Sequence, residues 1–245
     1  MIYWELCLSF IFVVSLKQKH TMSTIPTAAF AFLKSLQKNN NRDWMQENKK
    51  EYLGNEKVLK QFYASIESNL NKTDEISKVK VFRINRDVRF SKDKTPYNVH
   101  RSVSFSRAGA QRRGGYYLRL EPGNTMLAGG FFSPESSDLL RIRKEFEMDA
   151  TEINTILNQK EFKKAFGGFN QDYAVKTAPR NFDKNDPNID LIKLKSFFVV
   201  HSFSDSEVFS EDFEEKVMHH YKLLRPYFDY MSEVLTTDLN GISLI

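Results

Sequence analysis

The run YYLRLEPGNTMLAGGFF, Tyr116 to Phe132, decides the fold class. Tyr116 to Leu120 and Thr125 to Phe132 each have strand character, and Glu121-Pro122-Gly123-Asn124 joins them. Proline fixes φ at the first central position of a turn, and glycine admits a positive φ at the second. That pairing predicts a type II turn. Strands joined so tightly run antiparallel. Gly129-Gly130 marks either a bulge or a close backbone approach, the bulge being the commoner device. Val99 to Phe105 alternates apolar and polar residues and supplies the next strand upstream.

Outward from this meander the periodicity turns helical. Pro26 to Leu36 suits a short helix with Thr24 as its cap. Asn41 is placed to cap a second helix from Arg42, and Leu59, Phe62, Tyr63, Ile66 and Leu70 carry it on to about Asn69. Trp44 and Tyr52 fit the core better than a ligand site. Downstream, Ser133-Pro134 reads as a cap with proline at the first helical position. Leu139, Ile142, Phe146, Ile153, Ile156, Phe162 and Phe166 give the middle helices an inner face. Tyr173 to Thr177 and Phe197 to Phe203 read as strands, and Leu191 to Lys195 as a helical turn. Ser210 is expected to cap a last helix that Pro226 kinks or breaks. The expectation is an α+β fold, a single domain over 22–240, with a mainly antiparallel central sheet flanked by N-terminal, middle and C-terminal helices.

At 245 residues the chain can bury one sizeable core, and its 21 Phe and 10 Tyr argue against disorder. The net charge of +5 is modest, but its distribution is uneven. Between Lys78 and Arg119 stand 12 Lys/Arg against two Asp, inside a frame that is net acidic. Such a basic middle calls for an anionic ligand or partner, or for neutralisation by carboxylates on flanking helices.

The densest part is Lys78 to Tyr97, KVKVFRINRDVRFSKDKTPY. Period two places Phe82, Ile84, Val88 and Phe90 on one face of a strand and Arg83, Asn85, Asp87 and Arg89 on the other. Arg86 then falls on the apolar face, where a buried guanidinium needs a paired charge or a bound anion. The candidate ligand-binding residues are Arg83, Arg86, Asp87, Arg89, Lys92, Asp93, Lys94, Tyr97 and Lys195. The basic loop Ser106 to Gly115, flanked by glycines, is expected to be mobile.

Several chemistries have no motif. Gly109 and Gly114 have P-loop spacing, but Gly115-Tyr116 follows where Lys-Ser/Thr is required. Asp183, Asp186 and Asp190 lack the glycine and the closing Glu of a calcium loop. The five histidines have no ligand spacing, so neither a metal nor a cofactor is expected. Cys7 is the only cysteine, which fits a reducing compartment. Ile2 to Leu16 is apolar but short for a membrane span. The expectation for 1–21 is an upstream extension with Met22 as initiator, in a cytoplasmic protein. Association with a membrane through 1–16 is the lesser alternative.

Asn39-Asn40, Arg42-Asp43-Trp44, the run from Arg86 to Tyr97, Tyr116-Tyr117-Leu118, Gly129-Gly130 with Pro134, Lys193 to Phe197 and Leu224-Arg225-Pro226 occur in this order. In these residues the chain resembles the conserved-hypothetical family known as domain of unknown function 2461, from about Ala28 to Leu235. The resemblance implies no activity and no catalytic residues. Where members tend to show Pro-Lys-Gly and an aromatic, this chain has Pro179-Arg180-Asn181-Phe182, and Asn181 is expected to keep the left-handed turn.

Three readings stay open on residues alone. The first is a module binding an anionic small molecule, an acidic partner or, more weakly, a nucleic acid through the basic strand and turn. The second is an enzyme acting on a phosphorylated substrate, with Asp87 or Asp93 as general base or metal ligand and His100 or His201 assisting. Cationic neighbours make those carboxylates poor bases. The third is a structural ion-pair network without a ligand.

Overall fold

The computed structural model describes residues 24–245. The segment 1–21, with Cys7, and Met22, the initiator expected from the sequence, lie outside the described residues. Helices α1 (Thr27–Lys38), α2 (Arg42–Glu47) and α3 (Lys49–Leu70) lead into strands β1 (Ile76–Val81), β2 (Arg101–Arg107), β3 (Gly115–Leu120) and β4 (Thr125–Phe131). Next come α4 (Ser136–Met148), α5 (Thr151–Asn158), α6 (Lys160–Phe166), α7 (Ile189–Ile192) and β5 (Phe197–Phe203). Helices α8 (Asp205–Val208), α9 (Phe213–Leu223) and α10 (Arg225–Thr236) close the chain. No helix among the described residues is long and apolar enough to cross a membrane.

The five strands lie side by side in chain order, each antiparallel to the next, in a single α+β domain. The type II turn forms as expected: Gly123 has φ +72°, and the Asn124 N–H donates to the Glu121 carbonyl at 3.0 Å. Alternation gives the sheet two unlike faces. Val103, Phe105, Tyr116, Leu118, Leu127 and Val199 point into the main core with Phe62 and Tyr63 of α3, Tyr221 of α9 and Phe228 of α10. The Tyr116 ring meets those of Tyr221 and Phe228 at centroid distances of 4.8 and 5.0 Å. A smaller core of Phe32, Leu33, Leu36, Met45, Ile84 and Tyr97 lies beside it, with Trp44 and Tyr52 packed on as expected.

Asp74, in the turn between α3 and β1, ties these layers together. Its side chain has no exposed surface. It accepts from Arg107 Nε at 2.7 Å, the Tyr116 hydroxyl at 2.7 Å, Arg225 Nη1 at 2.9 Å and the Glu75 N–H at 2.9 Å. Burial pushes this carboxyl's pKa up. The hydrogen bonds from Tyr116, Glu75 and Arg107 outweigh burial, and the net movement is downward.

The Gly129-Gly130 pair is no bulge. Register with β5 runs unbroken through Gly129↔Val199 and Gly130↔Phe198. The glycines serve close approach instead: a Cβ on Gly129 would lie 2.2 Å from Leu224 Cδ1, and one on Gly130 2.2 Å from the Phe197 carbonyl oxygen. Other boundaries also moved. Asn48 splits the first long helix into α2 and α3, while Asn41 caps α2 as expected, accepting from the Trp44 N–H at 2.9 Å. Pro26, where Thr24 was expected, is the N-cap of α1. Ser133 has φ +48° and α4 begins only at Ser136, so Ser133-Pro134 is a sharp corner and no cap. The expected strand at Tyr173 to Thr177 reduces to a single bridge, Ala174↔Leu194. Asp212 takes the cap position expected of Ser210, and Pro226 sits in the first turn of α10, where the missing N–H costs nothing. Asn181 keeps its left-handed turn at φ +68°.

Two substitutions test these constraints. Asp74→Asn removes the charge that neutralises the buried Arg107 and should cost about 3–5 kcal/mol, read as a lowered urea midpoint. A loss no larger than that of an exposed pair would refute the role given to Asp74. Gly129→Ala should cost about 1–3 kcal/mol, and Leu224→Ala in the same chain should recover part of it. Strictly additive losses in that cycle would show that the Leu224 contact does not set the need for glycine.

Candidate functional site

Strand β1 stops at Val81, and the expected strand through Phe90 is instead a loop. Arg86 N–H donates to the Pro96 carbonyl at 2.8 Å, Asn98 N–H to Ile84 at 2.7 Å, and Asn85 bridges Tyr97. Asn40 clamps the loop base from the α1–α2 corner. Its amide donates to the Tyr97 carbonyl at 2.8 Å and accepts from the Tyr97 N–H at 3.1 Å. The Tyr97 ring is therefore buried in the small core and presents no stacking face. The side chain of Arg86 is 24% exposed, so the expected buried guanidinium is absent. It pairs with Asp93 at 2.5 Å and donates to the Thr95 carbonyl and hydroxyl. Arg89 closes a two-pronged pair on Asp87 at 3.0 and 2.7 Å, and Lys94 donates to the Val88 carbonyl at 2.9 Å. The loop turned out of the strand register because its charges satisfy one another locally. Phe90, expected to share a face with Ile84, stands 96% exposed at the loop's far end.

The rest of the basic stretch is also largely neutralised. Arg101 pairs with Glu56, Arg107 with Asp74 and Asp229, Arg112 with Glu75, Arg113 with Asp138 and Arg119 with Glu121. Three of these pairs, at Arg107, Arg112 and Arg113, tie the loop Ser106 to Gly115 to neighbouring elements. Lys78, Lys80, Arg83 and Lys92 have no carboxylate partner among the described residues. Lys195 precedes β5, at the corner of the sheet diagonally opposite the loop that follows β1. The structure does not bring it to the other candidates.

What residue reading missed is the face of the sheet turned away from the helices. One cross-strand row reads Lys78, Ser106, Gly115, Gly130, Phe198. The next reads Lys80, Ser104, Tyr117, Ala128, Val200. In the first row three central strands carry almost no side chain, which bares a floor roughly 10 Å wide at the strand spacing. Aromatic walls stand on both sides. Phe82 and Tyr117 meet edge to face at 6.0 Å; Phe132, Tyr173 and Phe198 form a triangle with centroids 5.2 to 5.8 Å apart. The trough so enclosed measures about 570 Å³. Phe132 is 61% exposed and Tyr173 40%, unusual for large apolar rings on a finished surface. Lys80 leans over the Phe82 ring at 4.8 Å and sets a positive rim on the β1 edge. The signal was present in the sequence as Ser102, Ser104 and Ser106 alternating with core residues, and as glycines beside aromatics.

The acids and histidines named for catalysis are differently employed. Hydrogen bonds from the Thr95 N–H, Arg86 and the Thr95 hydroxyl hold Asp93 down at about 2, and Arg89 lowers Asp87. Both are ionised acceptors, unsuited to take a proton at neutral pH. His201 and His220 stack at 3.8 Å on the helix side of β5, each with Nδ1–H donating to a carbonyl, Ala165 at 2.8 Å and Lys216 at 2.7 Å. His220 is thus half-buried. A second cleft of about 530 Å³ lies between the end of α3 and α9, lined by Asn69, Lys72, Glu214, His219 and Lys222.

Burial, then the charges of Arg119 and Arg101, push His100 down to about 4; burial and the neighbouring imidazoles also lower His220. Both are neutral in the fold at pH 7 but would take a proton near 6.5 when unfolded. Stability is therefore complete above pH 6.5 and is lost as the pH falls toward 4. His100 should contribute to a fall in the thermal midpoint between pH 6.5 and pH 5, and His100→Gln should flatten that pH series. An unchanged slope in that variant would place the loss elsewhere.

A family model described as a conserved hypothetical protein, DUF2461, matches residues 28–230. No curated protein and no solved structure matches the chain.

Proposed function

Because the chain belongs to the DUF2461 family of conserved hypothetical proteins, whose description states no activity, we propose on physical grounds that it is a binding module for a ligand that joins a flat ring to an anionic group. The ring lies on the bare floor of Ser106, Gly115 and Gly130, between Tyr117 and the triangle of Phe132, Tyr173 and Phe198. The anion meets the ammonium groups of Lys78 and Lys80. The observation that carries this reading is the row from Lys78 to Phe198, empty of side chains in its middle and charged at one end. A floor of backbone accepts a plane without steric cost, and aromatic walls hold a ring by edge and face contacts. The anionic ligand expected from the sequence is kept, while its place moves from the loop to the sheet.

The enzyme reading finds less support. The carboxylates of the loop are bound to arginines, and the histidines named for it are neutral or lie on the helix side. The ion pairs from Arg86 to Arg119 favour a structural role for most of the basic stretch.

A thermal-shift and calorimetry series with nucleoside monophosphates, and with ribose 5-phosphate as the ringless control, tests the trough. Monophosphates should raise the midpoint and the sugar phosphate should not. Ser104→Trp, which fills the floor from a partly exposed position, should abolish the shift while leaving the ligand-free stability within about 1 kcal/mol of the parent. Lys80→Glu should weaken binding severalfold. If neither a nucleotide nor another ring-bearing anion moves the midpoint, or Ser104→Trp binds as the parent does, the trough is not the site.

A further inference from the structure

The loop Arg83 to Pro96 exposes an aromatic ring that nothing in the fold requires. Phe90 is 96% exposed and has left both cores. The loop that carries it is held by its own contacts: Arg86 on Asp93, Lys94 on the Val88 carbonyl and the bridge at Asn85. A ring at the end of a braced loop loses little freedom on binding. Arg89, fixed by its two bonds to Asp87, covers one side of the ring with its guanidinium 5.9 Å from the centroid. The other face is bare, so Phe90 offers a flat surface and no plug. Five cations stand against two carboxylates from Arg83 to Lys94, and Arg83 and Lys92 lack a carboxylate partner among the described residues. The loop leaves the sheet directly from Phe82, which forms one wall of the trough.

We infer that the ligand is a polymer of ring and anion, a single strand of nucleic acid, which runs from the trough over Phe82 and Arg83 to stack a further base on Phe90. This rests on the ring-and-anion reading of the trough and names its ligand class. A strand supplies a planar group and a phosphate at every step, matching alternating aromatic faces and free cations along this path. An anionic bilayer would want several apolar side chains at the tip, and the loop offers one. An acidic peptide satisfies the cations but leaves the flat face of Phe90 without a partner.

The test compares a short fluorescein-labelled oligothymidylate with thymidine monophosphate, using the full chain and its Phe90→Ala and Ser104→Trp variants. The exposed position of Phe90 leaves the fold of its variant intact, which circular dichroism checks. The oligonucleotide should bind at least tenfold more tightly than the monophosphate. Its affinity should fall with salt at a log–log slope of about −0.7 for each phosphate neutralised. Phe90→Ala should weaken the oligonucleotide on the order of tenfold and leave the monophosphate unchanged, while Ser104→Trp should weaken both. If the monophosphate binds and the oligonucleotide binds no tighter, or Phe90→Ala has no effect, the inference falls and the trough reading stands. Oligonucleotide binding that depends on Phe90 but ignores Ser104→Trp overturns the continuous path and the trough reading with it. Equal competition by oligoglutamate or phosphatidylserine vesicles overturns it in favour of a less selective anionic partner.

Discussion

One carboxylate holds the layers of this protein together. Asp74 is cut off from water and takes donors from Arg107 on β2, Tyr116 on β3 and Arg225 at the head of α10. An ion in that position is costly unless all its lone pairs are used. Here four donors use them, and the bonds fix how the last helices sit on the sheet. The triplet Leu224-Arg225-Pro226 works through the same junction. Leu224 enters the space that Gly129 leaves, Arg225 binds Asp74, and Pro226 starts a helix at the one place where its missing N–H is free of cost.

The same principle governs the basic half of the chain. Arginine prefers planar, two-pronged contacts with carboxylates, and all seven arginines from Arg86 to Arg119 have an acidic partner. A local surplus of positive charge in the sequence thus becomes a set of internal ties. The lysines, flexible and strongly hydrated, are mostly left at the surface. The free charge of the stretch from Lys78 to Arg119 is therefore smaller than its composition suggests, and what remains of it stands on β1 and its loop.

The meander was legible because its signals are local. Pro122-Gly123 dictates the turn, and alternation dictates which residues enter the core. Asn41 as a cap and Asn181 in its left-handed turn are local for the same reason. The loop Arg83 to Pro96 was not legible as a loop. Its alternation of Phe82, Ile84, Val88 and Phe90 suits a strand, and only the pairing of Arg86 with Asp93 and of Asn40 with Tyr97 bends it away. Those partners lie seven and 57 positions apart, beyond the reach of period-two reasoning. The trough was missed for another reason. It is made of small residues, and their absence of side chain acquires meaning only when register sets Ser106, Gly115 and Gly130 in one row.

A floor built from missing side chains has a genetic consequence. Ser104 and Ser106 alternate with Val103 and Phe105, so their side chains never enter the core that the neighbouring residues fill. Drift at the two serines changes the depth of the trough and leaves the helix-covered face untouched. Single codon changes there reshape this surface at little risk to folding. Gly130 is the exception: its φ of +144° and its approach to Phe197 leave no room for a side chain. One end of the trough thus has room for side chains, while the other is locked by the backbone itself.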